Sequence, residues 1–248
     1  MTRLILFGAA GRMGKEVEAA ANKADDFAIV ARVDVSGADG CLPSLDAVKE
    51  DADVIVDFSH HAATKTLTDY AVDKKIPLLI ATTGQTDAEL AMIREASAKI
   101  PVFFAANYSL GIAALIRAAK AIVALYPDAD IEIIEKHHNR KLDAPSGTAL
   151  SIARAISSVR EGETAFCFGR GGQMKRQKNE IGIHAVRLGN VVGEHEVLIG
   201  TDNETITLKH EAHSRALFAD GALVAARFLS ARTPGLYAMT DLVGDSNG

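Results

Sequence analysis

Short apolar runs alternate with helical patterns through the first hundred residues, and this alternation is the strongest constraint on the fold. The predicted strands cover residues 4–7, 27–33, 54–56, 77–81 and 101–105. Helical spacing follows the first strand, and Thr86 with Glu89 forms a predicted capping box before a helix that runs to about Lys99. Buried strands separated by helices favour a parallel sheet covered on both faces, which is a doubly wound α/β domain.

The pattern changes after Asn107. A long helix capped by Ser109, a strand at 131–136, a helix after residues 145–148 and strands at 181–188, 191–199 and 205–210 are predicted next. These elements indicate a second α+β domain with a mixed, mostly antiparallel sheet. Helical spacing returns at 218–229, so we predict a discontinuous first domain, 1–107 with 216–248, and a second domain at 108–215.

The loop after the first predicted strand carries three glycines in the segment GAAGRMG, residues 8–14. Glycines at this place let the backbone turn and approach a pyrophosphate, while the following helix start supplies N–H groups. The spacing is GxxGxxG rather than GxGxxG, and a glycine-rich turn that binds nothing is the alternative. The position after the first strand favours a nucleotide site on a Rossmann-type sheet, with Arg12 adding a contact to phosphate. The predicted cofactor-binding residues here are Gly8, Ala9, Ala10, Gly11, Arg12 and Met13.

Asp34 lies at the end of the second predicted strand, 20 residues beyond Gly14. An acidic residue at this distance hydrogen-bonds the ribose hydroxyls of a dinucleotide and repels a 2′-phosphate. The sequence therefore predicts NADH and/or NADPH as the cofactor, with NADH favoured by Asp34. An ordinary aspartate at a strand end is the alternative.

Small and polar residues follow two further predicted strands. Ligands of open α/β sheets lie at the carboxyl ends of the strands, so we predict cofactor contacts there, although plain polar loops are an equal alternative. The predicted residues are Ala81, Thr82 and Thr83, then Ala105, Ala106, Asn107 and Tyr108.

Composition excludes several classes of protein. A net charge of -5 argues against a general nucleic-acid binder, and no apolar run approaches the roughly 20 residues that span a bilayer. Cys41 and Cys167 form no CxxC pair and no disulfide framework. The chain opens without a signal peptide, so we expect a cytoplasmic location.

Residues 135–148, EKHHNRKLDAPSGT, gather two histidines, a lysine and a helix start. Imidazoles move protons near neutral pH, and backbone N–H groups at a helix start suit an anion, so this stretch is the predicted reaction centre.

A metal site would need a third ligand, and Glu135, Asp143, His184 and His195 stand at no recognised metal spacing, so we predict no metal site. In isolation, Lys141 would be a surface lysine and Ser146 a helix cap. His184, His195 and His210 lie in strand patterns and are expected to be structural.

The basic segment 170–178 is expected to be a solvated loop. Alternatively, it could close over a dicarboxylate or touch a neighbouring subunit.

Eight segments spread over nearly the whole chain resemble one family, 4-hydroxy-tetrahydrodipicolinate reductase. They are GAAGRMG (8–14), VDFS (56–59), ATTG (81–84), AANYSLG (105–111), EKHHNRKLDAPSGTAL (135–150), IGIHAVR (181–187), VVGEHEV (191–197) and HSRALFADGAL (213–223). Leu188-Gly189-Asn190 departs from the family's usual glycine-rich turn.

The resemblance implies NAD(P)H-dependent reduction of a cyclic imine dicarboxylate to tetrahydrodipicolinate in diaminopimelate and lysine biosynthesis. It assigns His137 as the proton donor and acceptor and Lys141 as a second proton donor. It also implies a homotetramer joined through the second-domain sheets. The implied substrate-binding residues are His138, Lys141, Gly147 and Thr148.

Two other functions remain open on the residues alone. A semialdehyde dehydrogenase would need a nucleophilic cysteine near an activating histidine, and Cys41 and Cys167 are the candidates. A non-catalytic NAD-sensing protein would keep the glycine loop without needing the histidine and lysine cluster.

Overall fold

A computed structural model describes residues 1–244 as two compact units. One unit consists of Met1–Ser109 with residues 215–244, and the other of Leu110–Ser214. The last four residues of the predicted range 216–248 lie outside the described part of the chain. Within residues 1–244, no helix has the length and apolar character needed to cross a membrane.

Six parallel strands form the sheet of the first unit. Numbered in chain order, they are Thr2–Phe7 (β1), Phe27–Val33 (β2), Val54–Asp57 (β3), Leu78–Ile80 (β4), Pro101–Phe104 (β5) and Gly235–Tyr237 (β11). Their order across the sheet is β11-β5-β4-β3-β1-β2. The direction of winding reverses between β1 and β3, so the loops that follow these two strands are neighbours at a place where open sheets bind ligands. The doubly wound parallel sheet is confirmed, and β11 extends it by a strand that was not predicted.

Helices cover this sheet on both faces, which is why successive residues of its central strands are buried. Leu4, Ile5 and Leu6 are all inaccessible to solvent. The predicted capping box is confirmed, since the Thr86 amide donates to Glu89 Oε2 (2.7 Å) and the Glu89 amide donates to Thr86 Oγ1 (3.3 Å). The helices of this unit are Arg12–Ala21 (α1), Thr64–Lys74 (α2), Asp87–Ser97 (α3), Ala216–Leu229 (α6) and Met239–Val243 (α7).

The second unit is a five-stranded mixed sheet with two helices. Its elements are Leu110–Leu125 (α4), Asp130–His137 (β6), Gly147–Ser157 (α5), Ala165–Phe168 (β7), Glu180–Arg187 (β8), Gly193–Gly200 (β9) and Thr205–Ala212 (β10). The strand order is β10-β9-β6-β8-β7, with antiparallel pairs on the β10 side of β6 and parallel pairs on the β7 side. The predicted mixed sheet is therefore present, with both kinds of pairing in equal number.

One face of this sheet changes from apolar to polar along β6. Ile131 and Ile133 are buried with the helices α4 and α5, together with their cross-strand neighbours on β8 and β9. Strand alternation puts Glu135 and His137 on the same face, further along the strand. Glu135 pairs across with His195, and His137 pairs with Arg187. The register thus gathers four polar residues at the end of β6.

Two arginines of the basic segment 170–178 are anchored rather than solvated. Arg176 donates to the carbonyl oxygens of Ile131 and Glu180, both at 3.0 Å, and Arg170 is ion-paired with Glu180. Lys178, in contrast, is exposed and pairs with Asp128 at 3.0 Å. The expectation of a fully solvated loop is thus wrong for the two arginines, because their partners come from β6 and β8.

Candidate functional site

The glycine loop of the first unit is built on close backbone approaches. Gly8 has φ +80°, and a methyl group there would come within 2.7 Å of the Phe58 carbonyl carbon and the Ser59 nitrogen in the loop after β3. A methyl group at Gly14 would collide with the backbone of Gly8 and Ala9. Gly11 is the N-cap of α1 and makes no side-chain capping bond. The loop therefore brings the start of α1 close to β1 and β3, as a phosphate-binding turn requires.

Asp34 contacts this loop. Its Oδ2 accepts a hydrogen bond from the Ala10 amide (3.1 Å), and its Oδ1 accepts from the Ser36 hydroxyl (2.6 Å) and amide (3.0 Å). The Ser36 hydroxyl and amide, helped by the Ala10 amide, hold the pKa of Asp34 below its ordinary value despite partial burial. Asp34 is therefore a carboxylate fixed at the edge of the glycine loop.

Carboxylates also hold the cations near Asp34. Arg32 forms an ion pair with Glu18 (Nε to Oε1, 3.2 Å), and Lys15 forms one with Asp39 (2.9 Å). A cavity of about 730 Å³ begins at the residue after Asp34, a size suited to a nucleoside. Its wall includes Val35, Ser59, Asp46, Asp69 and Asp73. Most of the lining residues are uncharged, and among the charged ones the three aspartates outnumber the one lysine, Lys74.

The predicted cofactor residues after β4 meet a buried carboxylate that the sequence analysis did not single out. Asp57, at the end of β3, is 1% exposed, and Thr82 Oγ1 lies 3.4 Å from its Oδ2. Ser59 donates to Asp57 Oδ1 through its amide (2.9 Å) and its hydroxyl (2.6 Å). Burial raises the pKa of Asp57 to about 6, against the opposing hydrogen bonds of Ser59 and Thr82. Asp57 therefore ties together the loops that follow β3 and β4.

The residues predicted after β5 divide between core and surface. The Tyr108 side chain is buried, and its hydroxyl donates to the Ile80 carbonyl (2.8 Å), so this side chain supports β4. Asn107 accepts a hydrogen bond from the Ser109 amide at 2.8 Å. Ala105 is half-buried and Ala106 is exposed at the carboxyl end of β5. Any cofactor contact by Tyr108 would therefore involve its backbone.

His137 ends β6 and forms the centre of a polar cluster in the second unit. Its Nδ1 lies 2.6 Å from Oε2 of Glu135, whose side chain is inaccessible to solvent. Arg187 donates to both oxygens of this carboxylate at 2.9 Å, and the Ser146 amide donates to Oε1 at 3.0 Å. Burial raises the pKa of Glu135, but the bonds from His137, Arg187 and Ser146 outweigh it and lower the pKa to about 2.

His195 is the second buried imidazole of the cluster. Its ring centroid lies 5.2 Å from that of His137, at an interplanar angle of 75°, and its Nε2 lies 3.2 Å from the Ser146 hydroxyl. Burial, and then the neighbouring His137, lower the pKa of His195 to about 4, so this imidazole is neutral at physiological pH. The strand pattern predicts a structural role for His195, and the structure turns its side chain towards the predicted reaction centre.

Lys141 lies on the loop between β6 and α5. Its Nζ is 2.8 Å from Asp143 Oδ1, and this contact lowers the pKa of Asp143. Arg187 holds the same loop by donating to the Asp143 carbonyl at 2.6 Å. His138 is half-buried at the start of the loop, and its carbonyl accepts from the Lys141 amide at 3.1 Å. The loop is thus tied at both ends, with the ammonium group near the histidines.

The start of α5 completes the cluster. Ser146 is confirmed as the N-cap, because its hydroxyl accepts from the Ala149 amide at 3.1 Å. Gly147 and Thr148 are the first two residues of this 11-residue helix, exposed and half-buried respectively. The structure therefore places His137, Lys141 and the start of α5 around one strand end, with a helix terminus suited to a carboxylate.

The residues weighed as metal ligands have other partners. Glu135 is held by Arg187, and His184 Nε2 lies 2.8 Å from Glu132 on the opposite face of β6. Across residues 1–244, no group of three or more His, Cys, Asp and Glu side chains is arranged to hold a metal ion.

The two cysteines considered as nucleophiles lie apart from the polar cluster on β6. Cys41 is buried in the first unit, and Cys167 lies on β7, with β8 between it and β6.

Comparison with family models matches both parts of the chain. Residues 2–108 match the model described as dihydrodipicolinate reductase, N-terminus, and residues 111–243 match dihydrodipicolinate reductase, C-terminus. Together the two models account for nearly all of the described residues.

Individual relatives agree along their full lengths. The 4-hydroxy-tetrahydrodipicolinate reductase of Caldanaerobacter subterraneus subsp. tengcongensis is 49% identical over 98% of both chains. The enzyme of the same name from Clostridium novyi is 44% identical over 100% of both. A dipicolinate-bound dihydrodipicolinate reductase from Paenisporosarcina sp. TG-14 shares the fold with a TM-score of 0.80, at 25% identity over 98% of this chain and 99% of that one.

Proposed function

The chain belongs to the dihydrodipicolinate reductase family of NAD(P)H-dependent oxidoreductases, and we propose that it reduces 4-hydroxy-tetrahydrodipicolinate to tetrahydrodipicolinate. This reaction belongs to lysine and diaminopimelate biosynthesis. The product carries a hydrogen in place of the substrate's hydroxyl group, so the overall reaction consumes a hydride and a proton and releases the hydroxyl as water. Since the substrate is a dicarboxylate, the protein must bind two carboxylates as well as deliver one proton.

The observation that carries this proposal is the setting of His137. A histidine can donate a proton near neutral pH, and its contact with the buried Glu135 holds the ring in one orientation. His195 beside it is neutral and does not compete as an acid. We therefore assign His137 as the proton donor, with Lys141 as the second donor from the adjoining loop.

The substrate dicarboxylate matches the positive groups around this strand end. Lys141, once released from its ion pair with Asp143, supplies a charge for one carboxylate, and the N–H groups of Gly147 and Thr148 at the start of α5 suit the other. His138, which begins the same loop, is proposed as a further substrate contact. One end of the substrate would thus face a point charge and the other a helix terminus, which orients the ring between them.

The glycine loop of the first unit fits a nicotinamide dinucleotide. The absence of side chains at Gly8 and Gly14 allows the close backbone approach that a pyrophosphate site needs, and α1 begins directly after Gly11. We propose that Gly8–Met13 hold the pyrophosphate and that the residues at 81–83 and 105–108 lie along the nicotinamide ribose. When bound, the reduced cofactor supplies the hydride.

We further propose that NADH is preferred over NADPH. Asp34 is ionised at the edge of the loop, where it suits ribose hydroxyls and repels a 2′-phosphate. Arg32 and Lys15 are already paired with Glu18 and Asp39, so a 2′-phosphate would have to break an ion pair to recruit either of them. These charges favour a lower Michaelis constant for NADH.

Assembly and location complete the proposal. The face of the second sheet opposite α4 and α5 carries half-buried side chains of mixed charge, including Lys136, Glu194 and Leu198. A homotetramer joined through this face would cover them. The free cysteines Cys41 and Cys167 suit a reducing compartment, and we propose the cytoplasm.

His137→Gln tests the assignment. Without a proton donor, turnover should fall by roughly 10²- to 10⁴-fold, while the dissociation constant for NADH should change less than about twofold. The assay follows NADH absorbance with the condensation product of pyruvate and aspartate semialdehyde. Near-normal turnover of the variant would remove His137 from the role, and wild-type protein that oxidises no NADH with this substrate would refute the function.

A further inference from the structure

Glu135 is a fully buried carboxylate whose two oxygens accept four hydrogen bonds. Oε2 contacts His137 Nδ1 and Arg187 Nη1, while Oε1 accepts from Arg187 Nη2 and the Ser146 amide. Arg187 is itself held by the carbonyls of Val186 (2.8 Å) and Asp143 (2.6 Å). Groups from β6, β8 and the start of α5 thus fix this carboxylate in place.

The ionisation of Glu135 determines which atom of His137 carries hydrogen. A deprotonated carboxylate can only accept hydrogen bonds, and the bonds that Glu135 receives keep it ionised. Its 2.6 Å contact with His137 therefore requires a proton on Nδ1. Nε2 is then the nitrogen that can gain and lose a proton during a reaction.

Gly193, the first residue of β9, faces the other side of the same ring. A methyl group built on Gly193 would lie 3.1 Å from Nε2, 3.5 Å from Cδ2 and 3.9 Å from Cε1 of His137, and these are its three nearest neighbours. The backbone of Gly193 is not in the left-handed region, so an alanine would fit its conformation. The space occupied by the imidazole thus accounts for a glycine at this position.

We propose that Glu135 and Gly193 are positioning residues that act through His137. Glu135 holds the Nδ1 hydrogen and so presents Nε2 as the acid, while Gly193 leaves room beside Nε2 for the ring to keep that orientation. This inference rests on the proposed function of His137 as proton donor. It adds the tautomer and two residues to which neither the family resemblance nor the sequence assigned a role.

The charges around His137 predict a change in pH dependence when Glu135 is neutralised. Glu135 on β6 and His195 on β9 contact the ring, Arg187 on β8 holds Glu135, and the paired Lys141 and Asp143 lie on the adjoining loop. In Glu135→Gln the negative charge beside the ring is lost and the neighbouring cations remain, so the dependence of kcat on pH should differ from that of the wild type.

The test compares Glu135→Gln with Glu132→Gln. Glu132 lies on the same strand and also contacts an imidazole, His184 at 2.8 Å, but on the opposite face. We expect Glu135→Gln to lower kcat by roughly 10²- to 10⁴-fold with a smaller change in KM, and Glu132→Gln to leave both within about twofold. Wild-type kcat and pH profile in Glu135→Gln would overturn the role of Glu135.

Gly193→Ala provides a second measurement if Glu135→Gln fails to fold. Displacing the ring by a few tenths of an ångström should lower kcat by roughly tenfold while leaving NADH affinity unchanged. Unchanged kcat would overturn the role of Gly193. The ¹⁵N shifts of labelled histidine, assigned with His137→Gln, should show Nδ1–H in the neutral wild-type ring. An Nε2–H tautomer would overturn the inference about Glu135, even in a protein that reduces a different substrate.

Discussion

Replacing Asp57 with asparagine should stabilise the folded protein at neutral pH. The carboxylate is 1% exposed, and the groups that offset its burial are the amide and hydroxyl of Ser59 and the hydroxyl of Thr82, none of which carries a charge. Asparagine keeps a carbonyl oxygen for Ser59 and presents an N–H group towards Thr82. The substitution therefore retains the hydrogen bonds and removes the buried charge.

The size of the effect follows from the pKa of Asp57, which burial raises from 3.8 to about 6. A difference of about two pKa units between the folded and unfolded states corresponds to about 3 kcal/mol in the free energy of unfolding. Because the folded-state pKa is the higher one, the wild-type protein loses this stability as the pH rises from about 4 through 6. Asp57→Asn should therefore gain up to about 3 kcal/mol at pH values well above 6, and close to nothing below 4.

Urea unfolding of the two proteins without cofactor, at one pH above and one pH below the range from about 4 to 6, measures the difference in their free energies of unfolding. Asp53→Asn is the matched control, because Asp53 just precedes β3 and its pKa is lowered by hydrogen bonding to Arg3 (Nη2 to Oδ1, 2.8 Å). This control should lose up to about 1 kcal/mol at neutral pH, since its partly exposed ion pair is broken. If Asp57→Asn were no more stable than wild type at neutral pH, the reasoning from an uncompensated buried charge would be refuted.

Three further predictions concern the proposed function. Lys141→Ala should lower kcat/KM for the dicarboxylate by roughly 10- to 100-fold by removing a charge-assisted contact, and steady-state assays showing no effect would exclude Lys141 from the site. Asp34→Ala should raise the KM for NADH by roughly tenfold and bring it closer to the KM for NADPH. An unchanged ratio of the two KM values would contradict the role of this carboxylate. Light scattering should give about four times the chain mass of 26.3 kDa, and a monomeric mass would contradict the tetramer.

Local sequence was sufficient for features whose partners lie within a few residues. The capping box at Thr86 and the N-cap at Ser146 were predicted because a hydroxyl and an amide three residues later form each of them. The doubly wound sheet was predicted because buried parallel strands have a continuous apolar pattern. The strands Ala165–Phe168 and Gly235–Tyr237 were missed because both are edge strands with exposed or half-buried residues, whereas the equally short β3 and β4 are fully buried.

The residues that surround His137 in the proposed reaction centre could not be predicted in the same way. Glu135 contacts Arg187, 52 positions later in the chain, and Ser146 contacts His195 at a separation of 49. These contacts depend on the register of β6 with β8 and β9, which one sequence does not reveal. Asp57 was missed for a similar reason, since its neighbour Thr82 comes from the next strand along the sheet.

The position of the polar cluster along β6 has a physical explanation. Further back on the same face, Ile131 and Ile133 lie in a core that excludes water, and a charge in that core would be costly without partners. At the end of the strand, the face continues as Glu135 and His137, where Arg187 and the Ser146 amide are within reach to compensate the charge. A buried ionised carboxylate is tolerated only with such partners, and the same partners restrict its orientation. The apolar part of the face thus provides a rigid and poorly hydrated support, and the polar part uses that rigidity to orient the His137 ring, the proton donor of the proposed function.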